Sequence, residues 1–476
     1  MASDVTDLPP PAARPQRSFF GEPKAIAYLA FTEAWERFSF YGMSALMVLY
    51  MTQALLLPGR VEHVAGFAAV RGALQAVFGP MSPLALASQV FGLYSGFVYF
   101  TPVLGGLIAD RWIGRRNAVM AGAILMSAGH FAMAFDGSFL LALVLLITGC
   151  GLLKGNISAQ VGGLYPEGDD KGRTRGFAIF SMGINVGATA GPLACGLLAQ
   201  VWGWHAGFAL AGVLMLLALA TYLFGYRHLP EMRAQARAKA PRRPLAGRDW
   251  RIIGALAVVM ATTIFQSVIY YQNSDVALIW IQSHVDLDFL GFRVPTAWFG
   301  SIDPFASIVF VPPLFALWRR QASRGREPGA LGKIAVGVWM ATGANLILVL
   351  STLAGPRTSV LAPFAYDVIL GIAFLYYWPT LLAVVSRASP PQVKATMMGV
   401  VFLTLFIGNI LVGWIGGFYE RMGPAGFWAL QVGIGVAGGL VLLALGRPLE
   451  RALAAHQAVE EDVPEVAAAS LSPASP

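Results

Sequence analysis

Glu33, Glu36 and Arg37 stand within five residues of one another inside an apolar stretch, FTEAWERFSFYGMSALMVLYM (Phe31–Met51). Spacings of three and four put all three on one face of a helix, and Tyr41, four beyond Arg37, continues that face. A charge in hydrocarbon costs several kcal/mol, so such side chains face a cavity and pair with one another. Two acids against one base leave one carboxylate that must find another cation or take a proton. A static interior ion pair is the plainer alternative. A second cation is Lys154 in LLKGNISAQVGGLY, midway along another apolar run and too far from its ends to snorkel fully. It needs a carboxylate, and the first run offers one. Alternatively, Lys154 lines a pore and binds an anionic group.

The runs that position these residues dominate the chain. Of 476 residues, 57% are hydrophobic and only 12% charged, where a soluble protein has roughly a quarter charged. This excludes an ordinary soluble protein and implies a polytopic membrane protein. Twelve spanning segments are expected, near 26–52, 84–109, 117–136, 139–161, 175–200, 205–226, 252–282, 297–318, 334–354, 361–386, 395–418 and 425–446. With the N-terminus inside, 26 of the 33 Lys and Arg fall on the inner side and five on the outer, which favours cytoplasmic termini. The basic segment 227–251 splits the chain into two six-helix bundles, 26–226 and 252–446, as expected for two bundles rocking about a central site. Its charges suit a loop facing lipid headgroups, not a nucleic-acid site. The ends, 1–25 and 447–476, read as disordered tails, and the N-terminal one has no apolar core of a secretory signal.

Other chemistry is thin. Cys150 and Cys195 sit in apolar runs as small core residues. The six histidines are dispersed without metal-ligand spacing. No nucleophile elbow or phosphate-binding loop occurs. Neither an enzyme nor a metal or cofactor site is expected.

GGLIADRWIGRR (Gly105–Arg116) lies at the inner end of the second span, where Asp110 can accept from Arg111, Arg115 or a neighbouring helix end. It resembles the loop between the second and third helices of the major facilitator superfamily. That resemblance implies an all-α fold of two six-helix bundles and a conformational latch at Gly105, Asp110, Arg111, Gly114 and Arg115. More specifically, EAWERFSFYG is similar to the E-x-x-E-R-F-x-Y-Y-G signature of the proton-dependent oligopeptide transporter family. LLKGNISAQVGGLY, IFSMGINVGA (Ile179–Ala188) and MMGVVFLTLFIGNILVGWIGGFYE (Met397–Glu420) resemble its fourth, fifth and eleventh helices. The resemblance covers about residues 25 to 445. It implies a multi-pass protein of the cell (inner) membrane, monomeric, that imports di- and tripeptides with protons. It implies that Glu33, Glu36, Arg37 and Lys154 couple the proton, with Lys154 paired to the motif, and that Tyr41, Tyr99 and Asn185 line the peptide pocket.

The departures bear on the cargo. Ser44 stands where the family commonly has an Arg for the peptide carboxylate. Phe374, five before Pro379, stands where it usually has a Glu for the amino terminus. Phe40 and Ser181 replace tyrosines, and Tyr270 and Tyr271 stand just before Gln272, where a Glu is frequent. The 25-residue linker is too short for the two extra helices of many bacterial members. A zwitterion therefore loses an anchor at each end. Asp303, where the family often has Asn, Asp275 and Asp367 are candidate replacements, with Asp303 or Asp367 taking the amine or proton role. Each could equally be an acid at a helix end near water. Phe374, Tyr376, Tyr377 and Trp378 make that side greasier, either as helix packing or as a wall favouring apolar ligands. Gln272, Asp303, Phe374 and Trp378 join the expected substrate-binding set. The alternative cargo is a non-peptide amine, amide or anion.

Overall fold

The structure, a computed structural model, describes residues 17–166, 168–229, 244–289 and 291–469. It is almost wholly helical, because a segment crossing lipid must satisfy its own backbone hydrogen bonds. A short hairpin, β1 (Arg17–Phe19) with β2 (Glu22–Pro23), leads into α1 (Lys24–Tyr50), which a π turn extends to Leu55. A short α2 (Phe67–Phe78) follows, then α3 (Pro83–Ile108), α4 (Arg115–Ala132), α5 (Phe139–Gly162), α6 (Asp170–Trp202) and α7 (Trp204–Gly225). Beyond the basic linker come α8 (Gly247–Tyr271), α9 (Val276–His284), a hairpin of β3 (Asp288–Phe289) with β4 (Phe292–Arg293), α10 (Ile302–Ala322), α11 (Ala330–Ala354), α12 (Leu361–Ala388), α13 (Lys394–Gly416) and α14 (Tyr419–Ala469).

Eleven helical segments among the described residues are long and apolar enough to cross a membrane. The remaining expected span is α4. Its 18 residues extend about 27 Å, close to the ~30 Å of hydrocarbon, but Arg115, Arg116 and Asn117 dilute its apolar character. The seventh expected span, 252–282, is not one helix. A 3-10 turn at Gln272–Ser274 and a non-helical Asp275 (φ −120°, ψ −106°) separate α8 from α9. The polar run Gln-Asn-Ser-Asp accounts for the break, since short polar side chains compete for backbone hydrogen bonds. Gly423, at φ 69°, likewise breaks α14 near its start. The tail expected to be disordered from 447 is helical to Ala469, in keeping with its Ala, Leu and Glu content. Most of the other tail, 1–16, and 230–243 of the linker lie outside the described residues.

The helices before the linker pack mainly on one another, and so do those after it. Small residues bring the first group close. Gly183, Gly187 and Gly191 recur every fourth residue on α6, and a side chain at Gly191 would strike the Phe38 carbonyl on α1. This is the small-residue stripe by which helices associate in lipid, where no hydrophobic driving force separates them from the solvent.

Two seams join the groups: α3 against α13, and α6 against α10 and the 3-10 turn Thr296–Ser301 before it. Both are tight on the side away from the linker. A side chain at Gly413 would lie 2.6 Å from the Ser88 carbonyl oxygen. Ser88 Oγ donates to Asp275 Oδ1 at 2.9 Å. Trp298 Nε1 donates to the Leu193 carbonyl at 2.9 Å, and Gln200 Nε2 to that of Arg293 at 2.7 Å. On the linker side the groups part around a cavity of about 1160 Å³.

Candidate functional site

The cavity runs from mid-membrane residues Asn185, Ser307 and Phe374 to Trp318, Lys333, Arg387 and Glu450 at the linker-side ends of α10, α11, α12 and α14. Lys333 Nζ sits 4.0 Å from the centre of the Trp318 ring and 2.5 Å from Glu327 Oε1.

On α1, the three charged residues form one cluster, as their spacing implies. Arg37 Nε lies 3.0 Å from Glu33 Oε1 and 2.5 Å from Glu36 Oε2. All three are at most 3% exposed. One guanidinium serves two carboxylates, and Glu33 Oε2 and Glu36 Oε1 have no hydrogen-bond partner among the described residues. Two acids thus share one base, as their positions on the helix imply. The guanidinium carbon also lies 5.3 Å from the Phe40 ring centre. Tyr41, one turn on, packs edge-on against Phe40, and Tyr99, Arg37 and Asp303 are among its polar neighbours. Ser44 is buried, and its hydroxyl has no partner among the described residues.

Lys154 departs from expectation. It makes no ion pair with a carboxylate among the described residues. Its Nζ lies instead over the Tyr99 ring, 4.6 Å from the centroid. The packing of α5 on α3 explains this. Gly151 sits against Thr101, where a side chain would be 2.8 Å from Thr101 Cβ, so Lys154, three residues along, meets Tyr99 first. The Tyr99 hydroxyl accepts from Tyr271 Oη at 3.1 Å, linking α3 to α8 across the two groups of helices.

Phe374 lines the cavity, and an aromatic and acidic group of side chains packs behind it. Tyr270 Oη donates to Asp303 Oδ2, to which Asn273 Nδ2 also donates at 3.2 Å. The Tyr270 ring stacks on Phe374 with centroids 5.6 Å apart, and Phe374 on Trp378 at 6.5 Å. Trp378 in turn meets Phe402 edge-on. Phe374 therefore faces the cavity and Trp378 stands behind it. Asp367 is buried beside Asp303.

Two further expected residues are placed differently from each other. Asn185 lines the cavity, with its Nδ2 donating to the Ser181 carbonyl at 3.1 Å. Gln272 does not. It is fully buried and its Nε2 donates to the Val412 carbonyl on α13 at 3.3 Å, because the turn at 272–274 rotates it away from the cavity. Asp275 is likewise not a cavity acid but part of the closed seam with Ser88.

In the loop after α3, Asp110 Oδ1 accepts from Arg115 Nε at 2.9 Å, and Gly114 takes φ 75°. Arg111 is exposed in the same turn, and Gly105 packs on the Gly151 carbonyl. Sequence reasoning missed a knot on the far side. Asp136 accepts from Arg60 Nη2 at 2.5 Å, meets His205 Nε2 at 2.9 Å, and accepts from Tyr50 Oη. Its members are 155 positions apart at the extremes, so no local pattern announces it.

The chain matches the profile described as the POT family over residues 116–242 and 245–424. The peptide transporter YePEPT of Yersinia enterocolitica subsp. palearctica is 29% identical, over 84% of this chain and 89% of its own length. The di-/tripeptide transporter of Lactococcus lactis subsp. cremoris is 28% identical, over 91% and 97%. A crystal structure of a mutant peptide transporter POT in complex with alafosfalin superposes with a TM-score of 0.80 at 25% identity, covering 93% of this chain and 98% of that one.

Proposed function

The chain belongs to the POT family, and from that premise we propose that it imports di- and tripeptides or peptide-like solutes across the cell inner membrane by proton-coupled symport. It is a multi-pass transporter and not an enzyme. The observation that carries the reading is the cavity of about 1160 Å³ between the two groups of helices, sealed on one side, in a chain that also buries the Glu33–Arg37–Glu36 cluster. Its size exceeds the ~300–1,000 Å³ usual for small-ligand sites, leaving room for a tripeptide and water. The names of the two relatives support peptides as the cargo.

In this reading the two groups, 26–226 and 252–446, rock about the cavity as a monomer, and the linker side is cytoplasmic, in line with the Lys and Arg bias. Glu33 and Glu36 share Arg37, and one of them exchanges a proton. Lys154, on the Tyr99 ring, is free to move to a carboxylate when the proton leaves, and Gly105 to Arg115 latches the linker-side ends. Tyr41, Tyr99, Asn185 and Phe374 meet the substrate.

A second reading keeps the fold and changes the cargo to a non-peptide amine, amide or anion. The uncharged Ser44 and Phe374 favour it, since a zwitterion needs a counter-charge at each end. Labelled dialanine uptake into proteoliposomes decides. Uptake driven by an inward proton gradient, and abolished by an uncoupler, is expected. Failure of dialanine to enter or to bind at millimolar concentration would favour the second reading.

A further inference from the structure

We propose that Asp303 on α10 and Asp367 on α12 form a second proton-binding site, separate from the α1 cluster and holding one proton between them. This deepens the proton-coupled reading above and rests on it. The two acids meet where α10 crosses α12. Gly371, one turn beyond Asp367 and on the same face, leaves the space into which Asp303 fits. A side chain there would lie 3.2 Å from Asp303 Oδ1 and 2.6 Å from its carbonyl oxygen. Both carboxyls are buried, Asp303 at 7% exposure and Asp367 at 3%.

Their surroundings differ in a way that assigns the proton. Asp303 accepts from Tyr270 Oη and Asn273 Nδ2, which suits a carboxylate. Asp367 Oδ2 is buried with no hydrogen-bond partner among the described residues, and Asp303 is the charged group beside it. Asp367 is therefore the member that carries the proton. Two adjacent carboxylates in a low-dielectric interior cannot both stay ionised without a cation, and among the described residues none pairs with them. From α8 they face Tyr270, from α1 Tyr41, and from α12 Tyr366. The Lys and Arg of α6, α8, α10, α11, α12 and α13 lie only near the ends of those helices, and Arg421, Arg447 and Arg451 of α14 lie near the limits of its membrane-crossing part, Tyr419–Leu453.

A substrate ammonium does not fit this site. The cavity lining includes Ser307 and Phe374 but neither aspartate, and the close crossing at Gly371 leaves no room for a larger cation. The pair is still linked to the other group of helices. Tyr270 holds Asp303, its neighbour Tyr271 donates to Tyr99, and the Tyr99 ring carries Lys154. A row of hydroxyls thus spans the two groups of helices between the two acidic centres.

Infrared difference spectra of the purified protein between acid and alkaline pH read protonated carboxyl groups without any substrate. Asp367→Asn is expected to lose one component of the protonated-carboxyl band that Glu33→Gln retains. Asp303→Asn should alter that same component, since its partner's charge is gone. In proteoliposomes, Asp367→Asn should lower the number of protons moved per dialanine by one while leaving dialanine exchange intact. A full band in Asp367→Asn, or an unchanged proton-to-dialanine ratio, would overturn the proposal. If dialanine is not transported by the unsubstituted protein, the peptide reading fails, and the infrared comparison alone still decides the pair. Unchanged elution and unfolding temperature of each variant separate these outcomes from misfolding.

Discussion

Among the described residues, Arg37 is the only base touching Glu33 and Glu36, and its removal would leave both without an ion-pair partner. Breaking a buried pair by removing one partner costs about 3–5 kcal/mol. Arg37→Met should therefore lower the unfolding temperature of the purified protein, and part of the loss should return at acid pH, where protons replace the missing charge. An unfolding temperature equal to the parent's at neutral pH would show that the cluster is solvated and not interior. This cluster was legible in the sequence because three residues at spacings of three and four must share a helical face. The partner of Lys154 was not. It depends on how α5 is pressed against α3 at Gly151 and Thr101, a matter of which helices meet and at what height. Gln272 shows the same limit, since its direction follows from a turn that breaks the helix.

The elements were readable from apolar runs of about 20 residues, which the length of a bilayer crossing makes distinctive. Their interruptions were not, because a short polar run inside an apolar one is compatible with either a continuous or a broken helix. The break at Asp275 has a consequence at this scale. It turns a carboxylate toward Ser88 on α3 and fastens the seam with α13 on the side away from the linker. Ser88→Ala leaves that carboxylate short of a donor, at a cost of about 1–3 kcal/mol. Since roughly 1.4 kcal/mol is a tenfold change in an equilibrium, the population open on that side should rise by about fivefold to a hundredfold. Distances between spin labels on the far ends of α3 and α13 read this directly, and an unaltered distance distribution would mean that Ser88 does not hold the seam.

At the scale of the molecule, the division at the basic linker and the asymmetry of Lys and Arg were visible as composition alone. Which side is open was not, because it depends on the balance between seams such as Gly413 on Ser88 and Trp298 on Leu193. The proposed orientation makes a prediction of its own. A cysteine introduced as Ser323→Cys, in the exposed loop after α10, should react with an impermeant maleimide only in inside-out vesicles, the native Cys150 and Cys195 being buried. Labelling in intact cells would reverse the topology. The account as a whole rests on energy coupling through the α1 cluster, and the most direct test separates movement from accumulation in one variant. Proteoliposomes holding Glu33→Gln should exchange labelled dialanine for unlabelled dialanine, yet fail to concentrate it under an imposed inward proton gradient that drives the unsubstituted protein. Accumulation by Glu33→Gln to the same level as the unsubstituted protein would contradict the account.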